Sequence, residues 1–171
     1  MIGQKLQDAI NEQINAELYS AYIYLSMAAY LEDQDLPGFA HWMRLQQDEE
    51  QLHAMKLFDF VLDRDGRVTL KAIGAPQSEW GSALEVFEDA LAHEKKVTGL
   101  IHALYQLAVD ENDYPTQSML KWFIDEQVEE EKSASDAVAQ LKMMGDFGPG
   151  LLMMDREMAQ RMPATAAEVG A

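Results

Sequence analysis

The chain has 171 residues, 48% of them hydrophobic, which is enough for one sizeable core and too apolar for a disordered polymer. Its formal net charge of -17 argues against nucleic acid or an anionic membrane as a partner and favours attraction of cations. Cysteine is absent, which excludes disulfides, cysteine-ligated zinc or iron–sulfur sites and thiol catalysis.

The N-terminal stretch MIGQKLQDAINEQIN is amphipathic and lacks the apolar segment of a secretory signal. It opens a first predicted helix over 3–32, whose Ile10, Ile14, Glu17, Ala21, Tyr24, Ala28 and Leu31 recur at spacings of three and four on one face. The longest uncharged run, Leu18 to Leu31, is too short and too rich in Ser and Tyr to span a bilayer, so a cytoplasmic protein without membrane contact is expected. Pro37 and Gly38 break the pattern, and a second helix over 38–65 carries Phe39, Met43, Gln46, Glu50, His53, Leu57 and Phe60 on its stripe.

From about Arg67 to Gly81 no period is visible. Ser82 then reads as an N-cap with Glu85 completing a capping box, and the third helix, 82–111, shows Phe87, Ala90, Glu94, Val97, Ile101, Leu104 and Ala108. A fourth, 115–144, shows Leu120, Phe123, Gln127, Glu130, Ala134, Ala137, Leu141 and Met144. Gly148-Pro149-Gly150 reads as a turn, followed by a short fifth helix over 151–162 and a tail over 163–171.

Loop lengths set the topology of this single domain. Short turns make the first and second helices antiparallel, and likewise the third and fourth. A helix of about 28 residues is roughly 42 Å long at 1.5 Å per residue. The middle connection of about 15 residues can extend to roughly 50 Å. It can therefore run the length of the bundle and make helices two and three parallel. The expected fold is all-α: a ferritin-like four-helix bundle with one long crossover between helices two and three, plus a short C-terminal fifth helix.

Glu17, Glu50, His53, Glu94 and Glu130 interrupt these apolar stripes, each near the middle of its helix. A carboxylate inside a bundle is costly unless a positive partner meets it, and no Lys or Arg falls on any of the four stripes. Helices packed side by side bring the interruptions to one height. Glu50-x-x-His53, the only Glu-x-x-His in the chain, adds an imidazole one turn along the same face. Carboxylates with an imidazole suit iron or manganese, and a bridging Glu can hold two ions close together. Di-iron carboxylate bundles pair two single Glu with two Glu-x-x-His. Here the fourth helix offers Gln127-x-x-Glu130 instead of a second such pair.

The stretches NEQINAELYSAYIYLSM, HWMRLQQDEEQLHAMKLFDF, HEKKVTGLIHAL and LKWFIDEQVEEEKSA resemble the non-haem ferritins of bacteria and archaea, from about Leu6 to Met158. The resemblance implies that Glu17, Glu50 and His53 hold one iron, and that Glu50, Glu94 and Glu130 hold another, with Glu50 bridging and Gln127 close by. It implies a third, weaker iron site at Glu49, Glu126, Glu129 and Glu130. Tyr24 and Trp122 match an aromatic pair able to donate single electrons. No haem is expected: the bacterioferritin pattern has an axial Met directly after the bridging Glu, where this chain has Gln51, and a second Glu-x-x-His. Rubrerythrins need cysteine.

The family likeness implies an iron-storage subunit with ferroxidase activity, oxidising Fe2+ with O2 or H2O2 and depositing ferric oxide inside a homo-oligomeric shell of 24 subunits. Asp110, Glu111 and Asp113, near the turn between helices three and four, are candidates for the route by which iron travels. The chief rival is an oxygen-activating di-iron enzyme with an organic substrate, disfavoured because Phe, Leu and Ile fill the stripes.

Overall fold

The computed structural model describes residues 1–145 and 148–163, and within them five α-helices and no β-strand. These are α1 (Gln4–Asp33), α2 (Pro37–Asp63), α3 (Ala83–Asp110), α4 (Tyr114–Met144) and α5 (Gly148–Met158). The α1 and α2 helices pack along each other, as do α3 and α4, and α5 lies mainly against α2.

Three of the helix ends close in the same way. Asp35, Asp65 and Asn112 adopt positive φ of 58°, 54° and 54°. In each case the next residue donates its N–H five residues back: Leu36 to Leu31, Gly66 to Val61 and Asp113 to Ala108. Asp and Asn are the non-glycine residues that best tolerate this left-handed position, and the return bond satisfies a terminal carbonyl. Asp113 then serves twice more. Its carboxylate accepts from Thr116 N–H at the start of α4, and it receives both Arg64 guanidinium nitrogens, at 3.0 and 2.8 Å. The end of α2 is thereby locked to the α3–α4 turn.

The crossover traces the whole of α1. Near its start Asn11 donates to the Arg67 carbonyl and accepts from Thr69 N–H, while Gln7 accepts from Arg67 N–H. Further on Ser26 donates to the Gln77 carbonyl, and Trp80 stacks edge-on against Tyr30 at 5.3 Å. From Gln7 to Tyr30 is 23 residues of helix, roughly 35 Å at 1.5 Å per residue. The crossover thus delivers α3 to the end of α1 opposite to the one where α2 finished. That makes α2 and α3 parallel, the ferritin-like arrangement. At the start of α3, Ser82 Oγ accepts from Glu85 N–H as a capping box requires. The returning Glu85 carboxylate takes Gly81 N–H, one residue before the position that motif uses.

The fifth helix departs from the sequence expectation of 151–162. Gly148-Pro149-Gly150 forms its first turn instead of a preceding loop, and regular helix stops at Met158. A proline fits there because the N–H it lacks has no partner inside the first turn. The second helix likewise ends at Asp63 and not at 65. Of the expected tail, residues 164–171 lie outside the described residues.

The α5 helix supplies what α2 lacks at its own start. Leu36 provides no side-chain cap, and Asp155 Oδ1 from α5 accepts from Gly38 N–H at 2.8 Å and Phe39 N–H at 3.0 Å. The contact is close enough that a Cβ on Gly38 would lie 1.7 Å from the Asp155 carbonyl oxygen.

The apolar core is divided. One cluster contains Tyr24, Leu31, Phe39, Met43, Phe87 and Leu141; the other contains Ile10, Ile14, Leu57, Val61, Ile101, Leu120 and Phe123. Between them lies a buried polar layer drawn from the middle of all four long helices.

Two substitutions test the α2–α5 joint. Asp155→Ala should cost about 1–2 kcal/mol, as for the loss of an N-cap. Gly38→Ala should cost more, because backbone and not a flexible side chain stands in the way. Thermal denaturation of the two variants checks the order, and an unchanged midpoint for Gly38→Ala would contradict the packing.

Candidate metal centre

Glu17 lies on α1 between Ile14 and Ala21, and Gln46, Glu50 and His53 lie on α2 between Met43 and Leu57. On α3, Glu94 falls between Ala90 and Val97, and on α4, Gln127 and Glu130 fall between Phe123 and Ala134. Each polar residue takes one turn of an otherwise apolar face, so helix periodicity itself points it inward. All of them are buried, none more than 5% exposed.

Neutral donors fix part of the layer. Gln13 Nε2 donates to Glu17 Oε1 at 2.7 Å, and Gln46 Nε2 to Glu130 Oε2 at 2.6 Å. Glu94 accepts from the Tyr24 hydroxyl on Oε1 and from Gln127 Nε2, at 3.2 Å, on Oε2. Gln127 is also within 3.2 Å of Thr98 Oγ1. The Glu17 and Glu50 carboxyls lie close enough that each affects the other's proton affinity, with the facing Glu17 raising Glu50.

Ligand-type atoms of Glu17, Glu50 and His53 lie within 4.8 Å of one another, and those of His53, Glu126 and Glu130 form a second such triplet. His53 Nδ1 is 3.5 Å from Glu50 Oε2. Glu17 Oε2, Glu50 Oε2 and His53 Nε2 are buried without a hydrogen-bond partner among the described residues. Orphaned polar atoms are rare in native cores, and each of the three members of this triplet carries one; the others among the described residues belong to Asn15, Gln46, Thr116 and Arg161. That is the donor set and the unmet demand expected of a cation site.

The electrostatics agree. Burial pushes the Glu17 carboxyl up and Glu94 to about 7. Burial and the facing charges of Glu94, Glu17 and Glu130 lift Glu50 well above the usual carboxylate range. Glu130 is lifted in the same way, with Glu94 and Glu49 adding to burial. Burial, and then Lys56, lowers His53 to about 4, leaving its imidazole neutral and available as a ligand. Tyr24 is held well above its ordinary value by burial and the surrounding acids. Without a cation, the layer therefore keeps protons that carboxylates normally lose.

The remaining sequence candidates divide by position. Trp122 is half-buried with its ring 5.4 Å from that of His53, and Lys56 Nζ sits 4.6 Å from its centroid. Glu49 is buried and receives Arg161 Nη2 at 2.7 Å; Glu126 is half-buried, and Glu129 is exposed. Glu94 belongs to neither triplet and instead holds Tyr24 and Gln127. Asp113, a candidate for the iron route, is already committed to Arg64 and the α4 cap, and Glu111 pairs with Lys5.

Sequence reasoning passed over Gln13, Thr98 and Arg161, and it gave His93 no metal role. Gln13 and Thr98 stand one turn from Glu17 and Glu94, and that spacing is a readable signal. His93 is held by Ser20 Oγ at 2.7 Å and meets the Tyr24 ring edge-on at 6.4 Å. Arg161 lies 112 residues from Glu49, and no local pattern announces the pair. No Lys or Arg lies on the stripes, yet this cation reaches the edge of the layer from beyond α5.

A profile described as a ferritin-like domain matches residues 7–144. The chain is 44% identical to a bacterial non-heme ferritin of Bacteroides fragilis over 94% of this chain and 100% of that one. It is 42% identical to a bacterial non-heme ferritin of Staphylococcus saprophyticus, covering 94% and 96%. Among solved structures, an engineered closed form of the Archaeoglobus fulgidus ferritin aligns with a TM-score of 0.95 at 49% identity, covering 96% of this chain and 100% of that one. The open-pore ferritin of the same archaeon aligns with a TM-score of 0.94 at 49% identity, covering 95% and 100%.

Buried acids in want of a cation carry a stability signature. The folded pKa of Glu94, about 7, is raised above the ordinary 4.5, so its charge opposes folding fully above pH 7 and not at all below pH 4.5. In the metal-free protein Glu94→Gln should therefore be stabilising by up to about 3 kcal/mol at pH 8, a gain that fades toward pH 4.5. Thermal midpoints of the two proteins at pH 5 and pH 8 measure it. A variant less stable than the parent at pH 8 would contradict the assignment.

Proposed function

The chain belongs to the ferritin family, and from that premise we propose that it is an iron-storage subunit that oxidises Fe2+ at a site inside its own helix bundle. The observation that carries the proposal is the convergence of Glu17, Glu50 and His53, buried together with one orphaned atom each. We assign these three residues to one Fe2+ ion, and Glu50, Glu94 and Glu130 to a second, with Glu50 between the two. Iron is the substrate here, and the chain's task is to bind it, orient it and accept the charge that develops.

Binding must begin with proton loss. The layer holds protons on Glu50, Glu130 and Glu94 when no cation is present, and two divalent ions displace them. The carboxylates then stabilise Fe3+ more than Fe2+, because the higher charge gains more from the same anionic ligands in a low-dielectric interior. Each of two Fe2+ ions gives one electron to O2, which leaves as hydrogen peroxide with two protons. The layer and the hydrated ions are the sources of those protons.

The polar surround has separate tasks. Gln13 and Gln46 orient Glu17 and Glu130 through neutral N–H donors, which add no charge to the site. Gln127 does the same for Glu94, within reach of the second ion. We assign Tyr24, hydrogen-bonded to Glu94, and Trp122, against His53, the role of one-electron donors beside the two ions. Glu126, with Glu49 and Glu129 beside it, supplies a weaker third position reached through Glu130.

Fe3+ passes from this site to a ferric oxide mineral. We propose that 24 copies form the hollow shell that contains it and that the shell works in the cytoplasm. No helix among the described residues is long and apolar enough to cross a membrane. The full-length similarity to an archaeal ferritin known in open-pore and engineered closed forms supports a cage.

Anaerobic apo-protein mixed with Fe2+ and then O2 should show rapid Fe3+ absorbance up to about two to three irons per subunit, followed by slower uptake into a particle of rising mass. Glu50→Ala should reduce the fast phase at least about a hundredfold, since the residue serves both ions. A fast phase surviving in that variant would remove the shared-ligand role.

A further inference from the structure

Arg161 is a cation at the edge of a centre otherwise built from acids. It follows α5, and its Nη2 lies 2.7 Å from Glu49 Oε2, with the arginine side chain 25% exposed and the glutamate 10%. Its guanidinium carbon lies 4.7 Å from the centre of the Trp42 ring, and its carbonyl oxygen pairs with His41 Nε2 at 3.0 Å. All three anchors are on α2. Its charge is also felt by Glu130, one helix further into the centre. Its Nη1, by contrast, is buried without a partner among the described residues.

These contacts form a latch that is specific yet incomplete. The guanidinium lies over an indole, a cation–π contact that helps hold it in place. It engages Glu49 through one nitrogen, not as the two-pronged fork that gives arginine–carboxylate pairs their strength. A divalent cation coordinating the same oxygen would approach to about 2.0–2.2 Å. It would then share that oxygen with a positive group now at hydrogen-bond distance, and like charges at such separation repel. Arginine cannot escape by deprotonating. It can only move.

We propose that Arg161 is a displaceable counter-ion for Glu49, so that a divalent cation taking Glu49 as a ligand must release residues 159–163 from α2. The guanidinium keeps Glu49 neutralised while the centre is empty of metal. Metal on the Glu49 side and docking of the segment after α5 are then mutually exclusive, and by linkage each weakens the other equally. The consequence is a difference in rank among the sites: Glu17, Glu50 and His53 bind without this competition, whereas the Glu49 side binds against it. The inference rests on the reading of the centre as a divalent-cation site.

Calorimetric titration of the assembled protein with Zn2+, which undergoes no redox change, resolves the two layers of the argument. A tight class of ions tests the centre itself, and its absence in the parent protein would overturn the proposed function. The weaker class tests Arg161. Arg161→Gln should tighten it at least tenfold while changing the tight class, which Arg161 reaches only through its distant effect on Glu130, by much less. Arg161→Lys, which keeps the charge, should bind it no more than about threefold more tightly than the parent, and Glu49→Gln on the Arg161→Gln background should cancel the gain. Hydrogen exchange on the unaltered protein gives a second readout: saturating Zn2+ should accelerate exchange across residues 159–163. A weaker class identical in parent and Arg161→Gln, or residues 159–163 equally or better protected with Zn2+ bound, would overturn the inference.

Discussion

Four glutamates facing one another inside an apolar bundle cannot all be ionised there. Removing even one carboxylate charge from water costs several kcal/mol unless it is paired, and like charges at this distance compound the penalty. The chain meets the constraint without metal by retaining protons on the layer and by surrounding it with neutral amides from Gln13, Gln46 and Gln127. The arrangement is tolerated, not optimal. Among the described residues, oxygens on Glu17 and Glu50 and a nitrogen on His53 have no hydrogen-bond partner, and the proposed cation would meet that demand. On the proposed function, stability is given up at the layer in return for a site organised before its ions arrive.

Much of the remaining structure serves to hold that layer at one height. Two apolar clusters grip it from either side, so each long helix is fixed both above and below its polar residue. Axial sliding is opposed by joints at the ends: Arg64 with Asp113 at one end, Asp155 over the start of α2 at the other. The crossover, tied to α1 by Asn11, Ser26 and Trp80, fixes the direction of α3. A shift of one helical turn, about 5.4 Å, would carry Glu94 or Glu130 out of the polar layer and into an apolar cluster. The end joints, remote from the centre, therefore belong to its geometry.

The ferritin-like fold was legible because its signals are local. Stripes at spacings of three and four residues marked the four long helices, and loop length alone implied that α2 and α3 run parallel. The layer was legible for the same reason, since a charged residue on an apolar stripe is visible without coordinates. What escaped were relations between distant segments. The Arg161–Glu49 pair and the Asp155 cap on α2 join residues more than a hundred positions apart, and neither has a sequence period. The start of α5 was misread because Gly-Pro-Gly usually signals a turn, whereas proline is equally at home in a helix's first turn. The partner of Asp113, Arg64, lies 49 residues away and left no local sign in the sequence.

The central claim is that the buried layer exchanges protons for divalent cations. Proton release on anaerobic Fe2+ binding tests it most directly, measured near pH 6.5 by calorimetry in two buffers that differ in ionisation enthalpy. The account requires about one or more protons released per subunit as the tight ions bind, and fewer in Glu50→Gln. Tight binding with no proton released, or with the same number released by the variant, would contradict it.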